Sequence, residues 1–222
     1  MKAKLRCFRR PLSIAQRVGL SLLWMGLVLG FLAACATPRE WVPPQDLVEP
    51  EQWFAEHPSW RVQGRMALSD GQSGGQMSIG WRQAGESATI DLRAGLGRQW
   101  WRLSFDETKA SLEGSEQEAL LATEPEALVY EATGWPIPIE AFGQWVKGLP
   151  SARDEALVFD EAGRLVSLVY EGWDVQLSGY ELAWSEEGQA VELPSRFEFR
   201  KSPLRLRVAL NRWDWLKSES GE

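Results

Sequence analysis

Apolar and polar residues alternate along many short stretches of the chain, as in half-buried β-strands. In the stretch from Trp60 to Leu68 the even-numbered positions form one face, and Arg61, Gln63 and Arg65 lie on the other. The stretch from Leu204 to Leu210 is the most regular. The predicted strands cover about residues 60–68, 77–81, 88–92, 101–105, 157–159, 165–169, 173–182, 196–199 and 204–210. Short turns rich in glycine or polar residues separate them, which favours an antiparallel meander.

The middle of the chain has helical signals. Ser115 to Glu118 and Thr123 to Glu126 each fit a capping box, in which a hydroxyl group and the Glu three residues later satisfy free N–H groups of a first helical turn. The second box is predicted to open a helix that Gly134 closes. Another helix is predicted from about Ile139 to Lys147, after a connection that its prolines keep extended.

A shorter helix, from about Pro50 to Glu56, is predicted just before the first strand, with Trp53 and Phe54 docking it on the sheet. These elements together predict a mainly β, α+β domain. Its core would be a large antiparallel sheet interrupted by a helical insert.

The N-terminal segment follows a different pattern. Basic residues between Lys2 and Arg17 precede an uncharged apolar run from Val18 to Leu32. This run has the length of a signal-peptide core and is short for a membrane-spanning helix, which needs about 20 apolar residues. The run ends in Leu32-Ala33-Ala34-Cys35, which matches a lipobox. We predict a lipoprotein signal peptide over residues 1–34 and a lipidated Cys35; the alternative is an uncleaved anchor helix.

The remaining boundaries follow from proline content and periodicity. Residues 35–50 contain four prolines and no sustained period, which predicts a tether that carries the lipidated cysteine. Residues 51–222 are predicted to form one domain, since a domain usually has about 100 to 200 residues.

Charge and cysteine content exclude several classes of function. Without residues 1–34 the chain has 18 basic and 31 acidic side chains, a formal charge of −13. Such a surface argues against binding nucleic acid and against adsorption to anionic headgroups. Of the two cysteines, Cys7 lies in the signal peptide and Cys35 would carry lipid. No thiol would remain for a disulfide, a thiolate nucleophile or a zinc site.

Candidate catalytic groups are sparse. The only histidine is His57, and neither a nucleophile elbow, a phosphate loop nor a metalloprotease helix motif accompanies it. We therefore expect His57 to pack at a helix end. The four carboxylates Glu116, Glu118, Glu124 and Glu126 fit first helical turns, where they would complement the helix dipole. No catalytic residue, metal ligand or cofactor is predicted, and most tryptophans are expected in the core.

Two segments of the helical insert carry a family resemblance. Gly134 to Pro138 and Gln144 to Pro150 resemble the Gly-x-Pro-Ile-Pro and Trp-Ile-x-Gly-Leu-Pro signature of the LolB family of outer-membrane lipoprotein receptors. Weaker matches in the same order extend the resemblance over about residues 53–215: Gly64-Arg65, Trp81-Arg82-Gln83, Leu96-Gly97, Gly172-Trp173, Leu193-Pro194 and Trp213.

The resemblance implies a fold and a function. The sheet would curl into an incomplete barrel, with helices covering the opening of an apolar cavity. A periplasmic carrier similar to LolA would deliver acylated lipoproteins, whose acyl chains would enter the cavity before insertion into the outer membrane. The protein would be a non-enzymatic monomer that faces the periplasm and is held by its lipid anchor. Ala36 agrees with this location, because Asp at that position is the usual inner-membrane retention signal.

The resemblance also implies a membrane-insertion residue. In the family a leucine before a glycine projects from the domain and is needed for insertion of the cargo. Leu96, between Gly95 and Gly97, matches it, although the family usually has proline where Gly95 stands. The alternative is that Leu96 packs back as a core residue at a hairpin tip.

Ten residues are candidates for the cavity lining because each lies on an apolar strand face or on the helical insert. They are Met66, Leu68, Met77, Ile79, Ile90, Leu103, Trp135, Ile137, Phe142 and Trp145. Two other functions remain open at this point: a lipoprotein that binds apolar small molecules, and a cell-envelope hydrolase with paired carboxylates.

Overall fold

A computed structural model describes residues 47–95, 98–115 and 117–216 of the chain. These residues contain three helices: α1 Pro50–Glu56, α2 Pro125–Thr133 and α3 Ile139–Trp145. They contain twelve strands: β1 Leu47–Val48, β2 Ser59–Ser69, β3 Gly74–Ala84, β4 Ser87–Ala94, β5 Gln99–Phe105, β6 Ala110–Gly114, β7 Gln117–Ala122, β8 Glu155–Phe159, β9 Leu165–Tyr170, β10 Trp173–Trp184, β11 Ala190–Lys201 and β12 Leu204–Trp215. Among these residues no helix is long and apolar enough to cross a membrane.

The strands form one large sheet that is not closed into a barrel. Their order is β7-β6-β5-β4-β3-β2-β12-β11-β10-β9-β8, and β1 pairs with β11 beside this path. All pairs are antiparallel except β1 with β11. The predicted fold class is therefore confirmed. Leu47 and Val48, which the sequence assigned to the tether, form the short strand β1.

The inner face of the sheet carries the core, as the alternation predicted. Along β12 the buried residues are Leu206, Val208 and Leu210, and the residues that alternate with them, Arg205, Arg207 and Ala209, are exposed. Helix α1 docks through Trp53, whose side chain has no exposed surface. His57 ends α1, and its ring stacks on Trp53 at 4.4 Å between ring centroids.

The two predicted capping boxes were wrong in different ways. Ser115 lies in the turn between β6 and β7, and its hydroxyl oxygen accepts a hydrogen bond from the Trp100 backbone N–H. Helix α2 exists, but Glu124 is its N-cap residue and no side chain caps it. The prediction that Gly134 ends this helix is confirmed, because Gly134 closes α2 with φ of 72° and its backbone N–H donates to the Tyr130 carbonyl.

Two strands approach each other closely at Gly64. Asn211 is an extra residue in β12, since Gly64 pairs with Leu210 and Gln63 with Arg212. This bulge brings β12 so near that a Cβ at Gly64 would lie 2.1 Å from the Ala209 carbonyl oxygen.

We expect Gly64→Ala to lower the free energy of unfolding by about 3 kcal/mol or more, because neither backbone can move without breaking the ladder. Urea denaturation measures this change. Gly80→Ala is the matched control, since Gly80 lies in the adjacent strand with no atom within 4 Å of an added Cβ. A stable Gly64→Ala protein would contradict the close approach.

The open sheet has two edge strands, β7 and β8. Strand β8 pairs irregularly with β9, with register shifts on both sides of Val158. Ala156 has a left-handed backbone with φ of 48°. Leu157, Val158 and Phe159 are all exposed by 41% or more, so this edge is apolar as well as distorted.

Candidate ligand-binding cavity

An apolar cavity of about 200 Å³ lies between the inner face of the sheet and the helical insert. Strands β2 to β6 and β12 form its wall, and α2, α3 and the connection between them cover it. Its lining residues are Met66, Leu68, Met77, Ile79, Ile90, Leu92, Trp101, Leu103, Leu112, Val129, Ala132, Thr133, Ile137, Ile139, Phe142, Leu206 and Val208.

The lining offers almost no polar group to a ligand, since its only side-chain donors are the Trp101 indole N–H and the Thr133 hydroxyl group. Thr133 has the only hydroxyl group among these side chains, and it donates to the Val129 carbonyl oxygen at 2.6 Å. Among buried side-chain nitrogen and oxygen atoms of the described residues, only Trp53 Nε1 lacks a partner, and Trp53 is not in the lining. A cavity of this kind stays dry and accepts apolar groups, because a water molecule needs two to four polar partners and would not find them here.

One end of the cavity is closed by aromatic rings. The Phe142 ring on α3 lies 5.7 Å from that of Trp81 and 5.2 Å from that of Phe199. Next to this cluster Ile90 and Leu103 are 5% and 4% exposed.

The opposite end is the mouth. Leu68, Met77, Leu92 and Trp101 line it and are only half-buried. These residues lie near the β2–β3 and β4–β5 turns, so the cavity opens at that end of the sheet.

Hydrogen bonds hold the helical cover in place. The Glu126 carboxylate on α2 accepts a 2.8 Å bond from the Glu140 backbone N–H in the first turn of α3. The Trp173 indole N–H donates to the Pro136 carbonyl at 3.1 Å, which fixes the connection between the helices. Burial, together with the nearby carboxylates of Glu126 and Glu124, raises the pKa of Glu140.

Eight of the ten residues predicted for the lining surround this cavity. Trp135 and Trp145 do not. Trp145 is fully buried on another side of α3, where its ring meets Tyr170 at 5.4 Å and its Nε1 donates to Asp154 Oδ2 at 3.0 Å. Trp135 is half-buried next to the α2 C-terminus.

The sequence analysis missed nine residues of the lining. Leu92, Leu206 and Val208 continue predicted apolar strand faces, so their signal was present. Leu112 lies in a strand that was not predicted. The other five residues are Trp101 on β5 and four residues of the helical insert: Val129, Ala132, Thr133 and Ile139.

Two predicted functional residues, Cys35 and Leu96, lie outside the described residues, as does Glu116. The flanks of Leu96 are described: Arg98 donates a backbone hydrogen bond to the Gly95 carbonyl at 3.3 Å. These flanks connect β4 and β5 at the mouth of the cavity.

Comparison with known proteins gives consistent matches. The family model "Outer membrane lipoprotein LolB" matches residues 58–213. An outer-membrane lipoprotein LolB from Xanthomonas oryzae pv. oryzae is 32% identical over 206 residues, which covers 85% of this chain and 93% of the relative. The LolB of Xanthomonas euvesicatoria pv. vesicatoria is 34% identical over 168 residues, covering 73% of this chain and 76% of the relative.

Among solved structures, a LolA superfamily protein from Nitrosomonas europaea aligns with a TM-score of 0.44 and 8% identity, covering 72% of this chain and 87% of that chain. The family model and the sequence relatives extend over the sheet, the helical insert and the cavity. The chain therefore belongs to the LolB family of outer-membrane lipoproteins, which act in lipoprotein localisation.

Proposed function

We propose that the apolar cavity holds the acyl chains of a lipoprotein that a periplasmic carrier delivers, before the lipoprotein enters the outer membrane. The observation that carries this proposal is the lining itself, which combines 16 side chains without a hydroxyl group or charge with one internally bonded threonine. Such a surface favours an apolar group.

The energetics explain why this step would need a protein. Each CH₂ group that leaves water contributes about 0.8 kcal/mol, so an acyl chain exposed to water costs on the order of 10 kcal/mol. A dry cavity removes most of this cost. Transfer can then proceed from carrier to receptor to bilayer if each site holds the chain more tightly than the one before.

The size of the cavity adds a requirement. Pockets for drug-sized ligands have about 300 to 1,000 Å³, whereas this cavity has about 200 Å³. A whole acyl chain therefore needs the cavity to widen or must extend out of the mouth. Met66 and Met77 suit a wall that adapts, because their unbranched side chains change rotamer easily.

We propose that the protein performs no covalent chemistry. The carboxylate of Glu126 is engaged by the backbone of α3, and the rings of Trp53 and His57 stack on each other. The Glu126 carboxylate and the His57 ring thus have structural roles, which favours passive transfer over the hydrolase alternative.

We propose that residues 1–34 are removed as a signal peptide, that Cys35 carries the lipid, and that residues 36–46 form the tether. The lipobox and the uncharged run before it support this assignment. Mass spectrometry of the mature N-terminus tests it, and an unmodified Cys35 would contradict it.

Photocrosslinking tests the role of the cavity. A photoreactive amino acid at Leu68 would face the mouth, whereas one at the neighbouring Ala67 would face the other side of the sheet. We expect a crosslink to a radiolabelled acyl chain from position 68 and none from position 67. Equal crosslinking from both positions, or crosslinking to free fatty acid but not to acylated peptide, would contradict the proposal.

A further inference from the structure

The outer face of the sheet carries a patch of arginines directly behind the cavity wall. Arg65 lies in β2 next to Met66, and Arg207 lies in β12 between Leu206 and Val208, so cavity residues and arginines alternate along the same strands. Arg65, Arg196 and Arg207 surround a depression of about 470 Å³ whose base includes the small residues Ala67 and Ala209.

Strand pairing places these arginines in register. Ala209 pairs with Arg65 on one side and with Arg196 on the other, so the two arginines are two strands apart in one row. The same row continues through Ser78 to Arg93 and Trp100. Neighbouring strands lie about 4.8 Å apart, so consecutive arginines of this row are about 10 Å apart at the backbone.

The patch keeps its positive charge. Arg65, Arg93, Arg196 and Arg207 are exposed, and none of the salt bridges between described residues includes them. One carboxylate, Glu198, lines the depression opposite Arg207, and it is already bound by Arg200 and Arg205. The overall composition predicted an acidic surface. In the folded protein, however, several arginines lie together on the outer face of the sheet.

We propose that this patch, composed of Arg65, Arg196 and Arg207, binds the phosphate groups of anionic lipids and so docks the mouth end of the outer face of the sheet on the membrane surface. Guanidinium groups suit this partner, because their paired N–H groups match two phosphate oxygens. Trp100, which is 37% exposed at the end of the row, favours a membrane over an acidic protein. Tryptophan prefers the depth of the headgroups, where its ring and its N–H are both accommodated.

Docking would also orient the molecule. Arg65 and Arg207 lie within a few residues of the strand ends at Ser69 and Leu204, which belong to the end of the sheet where the cavity opens. The mouth would thus lie within about 15 Å of the headgroups. The tether permits this position, since the twelve residues from Cys35 to the start of β1 reach at most about 40 Å. The acidic remainder of the surface would be repelled, which leaves the arginine face as the one that docks.

The test uses the complete lipidated protein in vesicles of phosphatidylcholine, with or without phosphatidylglycerol. A fluorophore on Gln76→Cys, at the exposed side of the patch, reports energy transfer to headgroup-labelled lipid. We expect strong transfer only with phosphatidylglycerol, and loss of transfer as salt is raised. Each arginine near an anionic surface contributes about fivefold, so R65Q/R196Q/R207Q should weaken the contact about 100-fold.

The matched control is R61Q/R82Q/R212Q, which removes the same charge from the same face of β2, β3 and β12 at the opposite end of these strands. It should keep the contact. A charge-preserving variant, R65K/R196K/R207K, should keep most of the contact with lipid. It replaces the glutamine variant in the test if that variant does not fold.

Equal energy transfer on both lipid compositions, or equal loss in the patch and control variants, would overturn the proposal. So would unchanged lipid contact combined with failure to receive cargo from the carrier, because the patch would then face an acidic protein. Acyl-chain crosslinking inside the cavity should be normal in all these variants, so failure here leaves the proposed function intact.

Discussion

Replacing Ala132 with tryptophan is expected to reduce acyl-chain binding by roughly tenfold or more while the melting temperature stays nearly unchanged. Val129, Ala132 and Thr133 form the face of α2 that lines the cavity. Ala132 is exposed although it lines the cavity, so there is room for an indole at this position without displacement of the core. The indole would occupy part of the cavity and leave too little space for an acyl chain.

Ala127→Trp is the control for this experiment. Ala127 is exposed on the same helix but does not line the cavity, so the added ring should leave binding unchanged. Fluorescence titration with an acylated peptide measures the affinity, and thermal unfolding measures stability. Equal affinities for the two variants would show that acyl chains bind elsewhere.

Replacing Leu96 with glutamate is expected to separate two steps of lipoprotein transfer. If this leucine contacts the bilayer, the variant should still accept cargo from the carrier, because the cavity is untouched. Delivery to liposomes should fail, because a carboxylate is penalised at the boundary between headgroups and acyl chains. The melting temperature should scarcely change.

Leu121→Glu supplies the matched control, since Leu121 is a leucine in edge strand β7 that is 80% exposed. It adds the same charge and should deliver normally. If Leu96 instead packs in the core, Leu96→Glu should lower the free energy of unfolding by about 1 to 3 kcal/mol. Such a loss, or normal delivery to liposomes, would refute a membrane-contacting role.

The strands were predictable where one face is buried and the other is solvated. In the first half of β12, Arg205 and Arg207 alternate with buried Leu206 and Val208, so the pattern predicts both the strand and its orientation. Strands β6 and β7 were missed because their local signal around Ser115 matches a helix cap. Pairing between Leu103 and Leu112 on neighbouring strands decides the structure there, and such long-range pairing leaves no local pattern.

The cavity was predictable on the sheet and less so on the helices. Strand positions alternate strictly, so Ile79 and Leu103 could be assigned to the inner face. Phe142 and Trp145 lie three residues apart on one apolar face of α3, yet only Phe142 reaches the cavity. Trp145 turns toward Tyr170 and Asp154. Its direction depends on partners that are distant in sequence.

The distorted edge strand β8 has a consequence for solubility. A sheet that stays open to cover a cavity retains edges whose free N–H and C=O groups can pair with another molecule, whereas a closed barrel has none. A flat β8 with Leu157, Val158 and Phe159 exposed would be a template for strand addition and fibre growth. The register shifts around Val158 interrupt the regular spacing of these backbone groups. The irregularity of β8 thus protects the protein against self-association at one of the two edges that its open architecture leaves free.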